Sequence, residues 1–108
     1  FDLTLSGGMM SSAWTIDGQA YPDAAPLAVR EGERVRLSMT NHSAMLHPMH
    51  LHGHFFRTGN ALKDTVLVEA HMGRASFEFV VDNPGRWFFH CHNLYHLHAG
   101  MAREVRYV

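Results

Sequence analysis

Apolar and polar positions alternate along the chain in short runs separated by turn residues. Phe1, Leu3 and Leu5 alternate with Asp2 and Thr4, and Leu27 to Arg30 is a short extended stretch after Pro26. Beyond a turn at Glu31-Gly32-Glu33, Val35, Leu37 and Met39 fall on one face, with Arg34, Arg36 and Ser38 on the other. That period of two predicts a half-buried antiparallel strand over 34–40. Thr65 to Glu69 reads as another strand, and Ala75, Phe77, Phe79 and Val81 alternate with Ser76, Glu78 and Val80. Asp82-Asn83-Pro84-Gly85 is a strong turn signal, followed by an aromatic-rich strand from Arg86 to His92. Arg103 to Val108 forms the last strand, with Val105 and Tyr107 on one side. No stretch shows a helical period. Seven or eight strands at this spacing predict an all-β fold, a Greek-key sandwich or barrel.

Composition narrows the function. A chain of 108 residues suits one domain, 1–108, and 46% hydrophobic against 18% charged residues supports a packed core. Nine Lys+Arg against ten Asp+Glu give a net charge of -1, which excludes a basic nucleic-acid footprint and a polybasic membrane anchor. No apolar run approaches the roughly 18 residues a membrane span needs. The opening FDLTLSGGMM has neither the basic nor the apolar region of a secretory leader. Histidine is far above ordinary usage, with ten residues, while Cys91 stands alone. One cysteine makes no internal disulfide; amid histidines it is a candidate metal thiolate.

The histidines fall in two clusters. In His47-Pro48-Met49-His50-Leu51-His52-Gly53-His54, strand phase puts His50 and His52 on one face. His54 would join them only if the strand continued past Gly53. His47, an odd number of positions away, points elsewhere, and Pro48 marks the strand entrance. In the second cluster, His90 and His92 share a face and Cys91 takes the opposite one, with His96, His98 and Met101 following. One tripeptide thus offers two imidazoles to one metal site and a thiolate to another, and peptide bonds through Cys91, His90 and His92 make a short covalent route for electrons. A thiolate, two imidazoles and a weak thioether describe a blue-copper electron-transfer site. Cys91, His96 and Met101 follow at five-residue steps on a strand-to-loop segment, and His47 can supply the second imidazole. The other face, His50, His52, His90 and His92, holds imidazoles alone, which suit copper, with zinc the nearest rival.

The remaining candidates read more plainly. His42 and His71 are expected to be solvated, and His54 and His98 need not be ligands. Met9, Met10, Met39, Met45, Met49 and Met72 read as core filler or surface. A zinc finger would need more thiolates or a helical histidine pair, a zincin an HExxH helix, and a cupin a Glu soon after its H-x-H pair. A Cys–His hydrolase would leave most of the histidines unexplained.

These motifs resemble the C-terminal cupredoxin domain of multicopper oxidases such as laccases and bacterial copper-resistance oxidases. The likeness rests on HPMHLHGHFF at 47–56, KDTV at 63–66 and NPGRWFFHCHNLYHLHAGM at 83–101, with WTIDGQAYPDAAPLAVREGERVRLSMTN at 14–41 resembling the lead-in strands. The resemblance implies that His47, Cys91, His96 and Met101 hold a type 1 copper. It matches His50 to a type 2 copper ligand, and His52, His90 and His92 to ligands of the binuclear type 3 pair. It gives His54 and His98 no ligand role. In that family eight histidines hold the three-copper cluster between two domains, four from each; this chain carries four.

The function expected is therefore a copper-binding cupredoxin with an electron-transfer site and a half-site of type 2/type 3 histidines. The alternative is a laccase-like oxidase, active only when a second half-site from another protomer or domain completes the trinuclear cluster. A copper-tolerance protein without turnover and a nitrite-reductase-like trimer are further readings, the latter a poorer match to His92. The expected partners are copper ions and either other cupredoxin domains or further copies of the chain, a trimer before a dimer. The resemblance also implies a periplasmic or extracellular location.

Overall fold

The computed structural model describes residues 1–8 and 13–108. The expected Met9 and Met10 roles lie outside the described residues. Alternating sequence gives alternating burial: along β4 (Arg34–Asn41), Val35, Leu37, Met39 and Asn41 turn inward while the residues between them stay partly or fully exposed. β4 is the spine of one sheet, parallel to β1 (Asp2–Gly7) and antiparallel to β9 (Gly73–Val80). With β2 (Trp14–Ile16), β6 (Phe56–Thr58) and β7 (Ala61–Lys63), the strand order of that sheet is β2-β1-β4-β9-β6-β7. The second sheet runs β3-β11-β10-β5-β8, from β3 (Leu27–Val29), β11 (Ala102–Tyr107), β10 (Arg86–Cys91), β5 (His47–Leu51) and β8 (Thr65–Val68).

The expected all-β Greek-key sandwich is the fold observed. Between the sheets the rings of Phe56 and Phe77 stack at 3.8 Å, and Phe77 meets Phe89 at 6.0 Å. Leu5, Ile16, Leu37, Met39, Met49 and Leu51 complete one continuous core, each excluded from water. Burying such a side chain contributes roughly 1.5–3 kcal/mol, so the core anchors the strands that carry the histidines. Among the described residues no helix is long and apolar enough to cross a membrane.

Three features depart from the sequence reading. β2, β6 and β7, three residues each, were not expected. A short helix, α1 (Leu94–His98), lies between β10 and β11 where only strand and loop were expected. Leu97 N–H donates to Asn93 O, and the turn ends at Gly100, whose φ of 115° and closeness to Ala20 leave no room for a side chain. Finally, β5 begins at His47 and stops at Leu51, because Gly53 turns the chain at φ 76°. His54 therefore does not continue the His50/His52 face.

Candidate metal centre

β5 and β10 are antiparallel neighbours, with His90 opposite His50 and Cys91 opposite Met49. This register brings the two histidine clusters together. Because side chains alternate across a strand, His47, Met49 and Leu51 enter the sandwich while His50 leaves it. Cys91 likewise enters, and its neighbours His90 and His92 take the outer side.

The inner cluster is closed. His47, Cys91 and His96 are all buried, although 44 residues separate the first two. Nδ1 of His47 lies 3.1 Å from Nδ1 of His96, and each nitrogen lies 3.6 Å from Cys91 Sγ. The centre of such a triangle is about 2 Å from each corner, close to the roughly 2.0–2.3 Å at which an ion of zinc's size meets imidazole and thiolate. The residues therefore fit a metal ion, and the soft sulfur with two imidazoles favours copper. Met101 is fully buried beside them. Its carbonyl accepts from Cys91 N–H at 3.1 Å and its own N–H donates to His96 O at 3.0 Å, so both ligand residues are tied to its backbone. Trp14 covers the cluster, its ring 3.9 Å from that of His96 and 5.3 Å from that of His47.

Burial keeps this cluster uncharged. It lowers His47 to about 4, with the neighbouring His96 adding to the effect, and it also lowers His96. Burial raises the Cys91 thiol, partly offset by a hydrogen bond to the Asn93 backbone. Two neutral imidazoles and a thiol that ionises on binding suit a metal ligand set.

The outer face is open. Nε2 of His52 and Nε2 of His90 meet at 2.9 Å. His90 Nδ1 donates to the Cys91 carbonyl at 2.9 Å, so its bare Nε2 accepts from His52 Nε2–H, and His50 Nδ1 donates to the Asp64 carbonyl at 2.8 Å, which leaves its Nε2 unprotonated. The His50 and His52 rings are 4.7 Å apart, and the exposed His92 ring lies 6.3 Å from that of His90. Burial, and then the neighbouring histidines, hold His52 and His90 below the usual imidazole value; for His90 a hydrogen bond to Cys91 opposes this, and for His52 the Asp64 charge does. Among the described residues, His47, Cys91 and His96 are the one group of three or more His, Cys, Asp or Glu whose ligand atoms all lie within 4.8 Å of one another. The outer histidines thus pair without closing around a point.

The other histidines behave differently. His54 is buried, its Nδ1 donating to the His52 carbonyl at 3.2 Å while its Nε2 meets the Tyr107 hydroxyl at 2.7 Å. His42, His71 and His98 are exposed. Met39 and Met49 fill the core, and Met45 and Met72 are surface residues. Sequence reasoning missed Trp14, Asn41 and Ser43 beside the cluster. Only Asn41 carried a signal: it is a polar residue on the inward phase of β4, and a buried amide requires partners.

A family model described as multicopper oxidase matches residues 2–108. The chain is 44% identical over 112 residues to the multicopper oxidase MmcO of Mycobacterium tuberculosis, covering 98% of this chain and 22% of that protein. It is 41% identical over 110 residues to a copper resistance protein A homolog of Pseudomonas syringae pv. tomato, covering 97% and 19%. The chain thus spans about a fifth of the length of these relatives. Among solved structures, the McoA multicopper oxidase of Aquifex aeolicus superimposes with a TM-score of 0.86 at 25% identity, over 99% of this chain and 28% of that one.

Proposed function

Since the chain belongs to the multicopper oxidase family, we propose that His47, Cys91, His96 and Met101 hold a type 1 copper and that His50, His52, His90 and His92 form half of a type 2/type 3 site. That the chain is a copper-binding cupredoxin domain of multicopper-oxidase type follows from the family itself. One observation carries the division into two sites. The tripeptide His90-Cys91-His92 directs its thiol at His47 and His96, and its first imidazole at His52 on the opposite side. In this reading His50 is the type 2 ligand, and His52, His90 and His92 are type 3 ligands.

Bound copper supplies one-electron redox chemistry. The side chains would do the rest: His47 and His96 would present neutral nitrogens, Cys91 would give up its proton to bind, and buried Met101 would tune the site as a weak thioether donor. Cys91 is joined through the chain to His90 and His92, so one tripeptide couples the two sites. Residues 1–108 act as one cupredoxin domain, a reading supported by their single core. We infer a periplasmic or extracellular location from the resemblance.

A second reading is a laccase-like oxidase with oxygen as acceptor. It is favoured by the outer face, where two nitrogens meet and the set stays open. A second half-site, from another protomer or another domain, would complete it. If copies of this chain provide it, a trimer is the first expectation and a dimer the second.

Copper titration followed by visible absorption tests the type 1 assignment. The loaded chain should be intensely blue, and Cys91→Ser should bleach it while copper remains on the outer histidines; a blue Cys91→Ser protein refutes the assignment. Light scattering with copper stoichiometry tests the half-site, with His50→Ala and His92→Ala in parallel. More than one copper per chain in an oligomer supports it, and a monomer with one copper leaves a plain electron-transfer domain. Oxygen uptake with a phenolic donor separates oxidase from electron carrier.

A further inference from the structure

Asn41 and Ser43 lie just before the first histidine of the inner cluster. Asn41 is the last inward-facing residue of β4 and is fully excluded from water. Its Nδ2 donates to the Met45 carbonyl at 2.7 Å and to the Val68 carbonyl at 3.3 Å. Its Oδ1 accepts from Ser43 N–H at 2.9 Å and from the Ser43 hydroxyl at 2.7 Å. A flipped amide would set its oxygen against two carbonyls and its nitrogen against an N–H, so this network determines the orientation. The backbone of both residues is also held: His71 N–H donates to Ser43 O at 3.0 Å, and Met72 N–H to Asn41 O at 2.7 Å.

A serine hydroxyl has one proton. Here it goes to Asn41 Oδ1, because two oxygens 2.7 Å apart without a proton between them would repel. Among the described residues, the Met45 carbonyl, at 3.1 Å, is the only other acceptor the hydroxyl reaches besides the His47 ring. Ser43 Oγ therefore faces His47 Nε2, 2.8 Å away, as an acceptor. It follows that Nε2 carries the imidazole proton and that Nδ1, the atom nearest Cys91 Sγ and His96 Nδ1, is bare.

We propose that Ser43, oriented by Asn41, is a positioning residue that holds His47 in the Nε2–H tautomer with Nδ1 aimed into the inner cluster, and that it strengthens His47 as a copper donor. The proposal rests on the reading of His47 as a ligand. The Nε2–H to Oγ hydrogen bond pushes electron density toward Nδ1, as a partner on the far nitrogen of a ligating histidine does generally, and stabilises the more oxidised ion. It also locks the ring plane, so that the free chain already holds the geometry it needs on binding.

The experiment has two arms. In the metal-free chain, nitrogen NMR of the His47 ring should show Nε2–H and a bare Nδ1; a proton on Nδ1 overturns the proposal, and this arm needs no variant. In the copper-loaded chain, Ser43→Ala should weaken Cu(II) binding by ~10–100-fold and raise the reduction potential, while Ser43→Thr, which restores a hydroxyl, should return both toward the parent values. Unchanged affinity and potential in a folded Ser43→Ala protein overturn the proposal. His47→Ala separates the two levels. If it keeps the blue band, His47 is no ligand; if it bleaches while Ser43→Ala changes nothing, the ligand stands and the positioning role fails.

Discussion

Acidifying the metal-free chain from pH ~7 to ~4 should destabilise it through its buried histidine. His47 is fully buried and its folded value is lowered to about 4, against an ordinary 6.5. As pH falls below about 6.5, the unfolded chain takes up this proton first. Stability is therefore untouched above that point, falls between about 6.5 and 4, and loses nothing more from this group below 4. The whole window corresponds to about 3 kcal/mol, of which about 2 kcal/mol is lost by pH ~5. That is a large share of the roughly 5–15 kcal/mol that holds a domain folded. His96, His90 and His52 are lowered too and steepen the same fall. Glu104, lowered by hydrogen bonds from Arg86 and Arg106, acts only below its ordinary 4.5 and overlaps just the acid end of this window. The assay is urea unfolding of the chelated, reduced protein at several pH values, followed by tryptophan fluorescence. Stability should decline by about 1.4 kcal/mol per pH unit for each proton taken up. A flat profile between pH ~7 and ~5 would refute a desolvated, neutral His47. A slope that survives in His47→Gln would move the cause to the other histidines.

Three further outcomes are expected. Met101→Leu should keep the blue band and raise the reduction potential, measured by voltammetry, because a thioether tunes the site more than it holds the metal; loss of copper would mean another role. Because Cys91 is a raised thiol and His47 is already neutral, copper binding near pH ~7.5 should release about one proton per inner ion. Calorimetry in buffers of different ionisation enthalpy measures this, and Cys91→Ser should abolish it. Gly53→Ala should cost about 1–3 kcal/mol in urea unfolding, because φ is 76° there and an added methyl would overlap the Trp87 ring. It should also shift His52, weakening copper on the outer face while the blue band stays.

Much of the centre was legible from local periodicity. Strand phase alone separated His50 and His52 from His47, and Cys91 from His90 and His92, since successive side chains on a strand take opposite faces whatever else the chain does. The same phase marked Val35, Leu37 and Met39 as core. What local phase could not supply is which strands are neighbours. The register of His90 against His50, and the meeting of His47 with His96 at 3.1 Å across 49 residues, come from burying both sheets against one core. β2, β6 and β7 are too short for alternation to register, and α1 is too short to show a helical period, so packing alone reveals them. Trp14 over the imidazoles and the Asn41–Ser43 link behind His47 lie on separate stretches of chain, and neither residue type announces a metal centre. The sequence determined which side chains could be ligands and which face each would take; the tertiary structure decided which of them meet, because contacts between distant residues exist only once the core has formed.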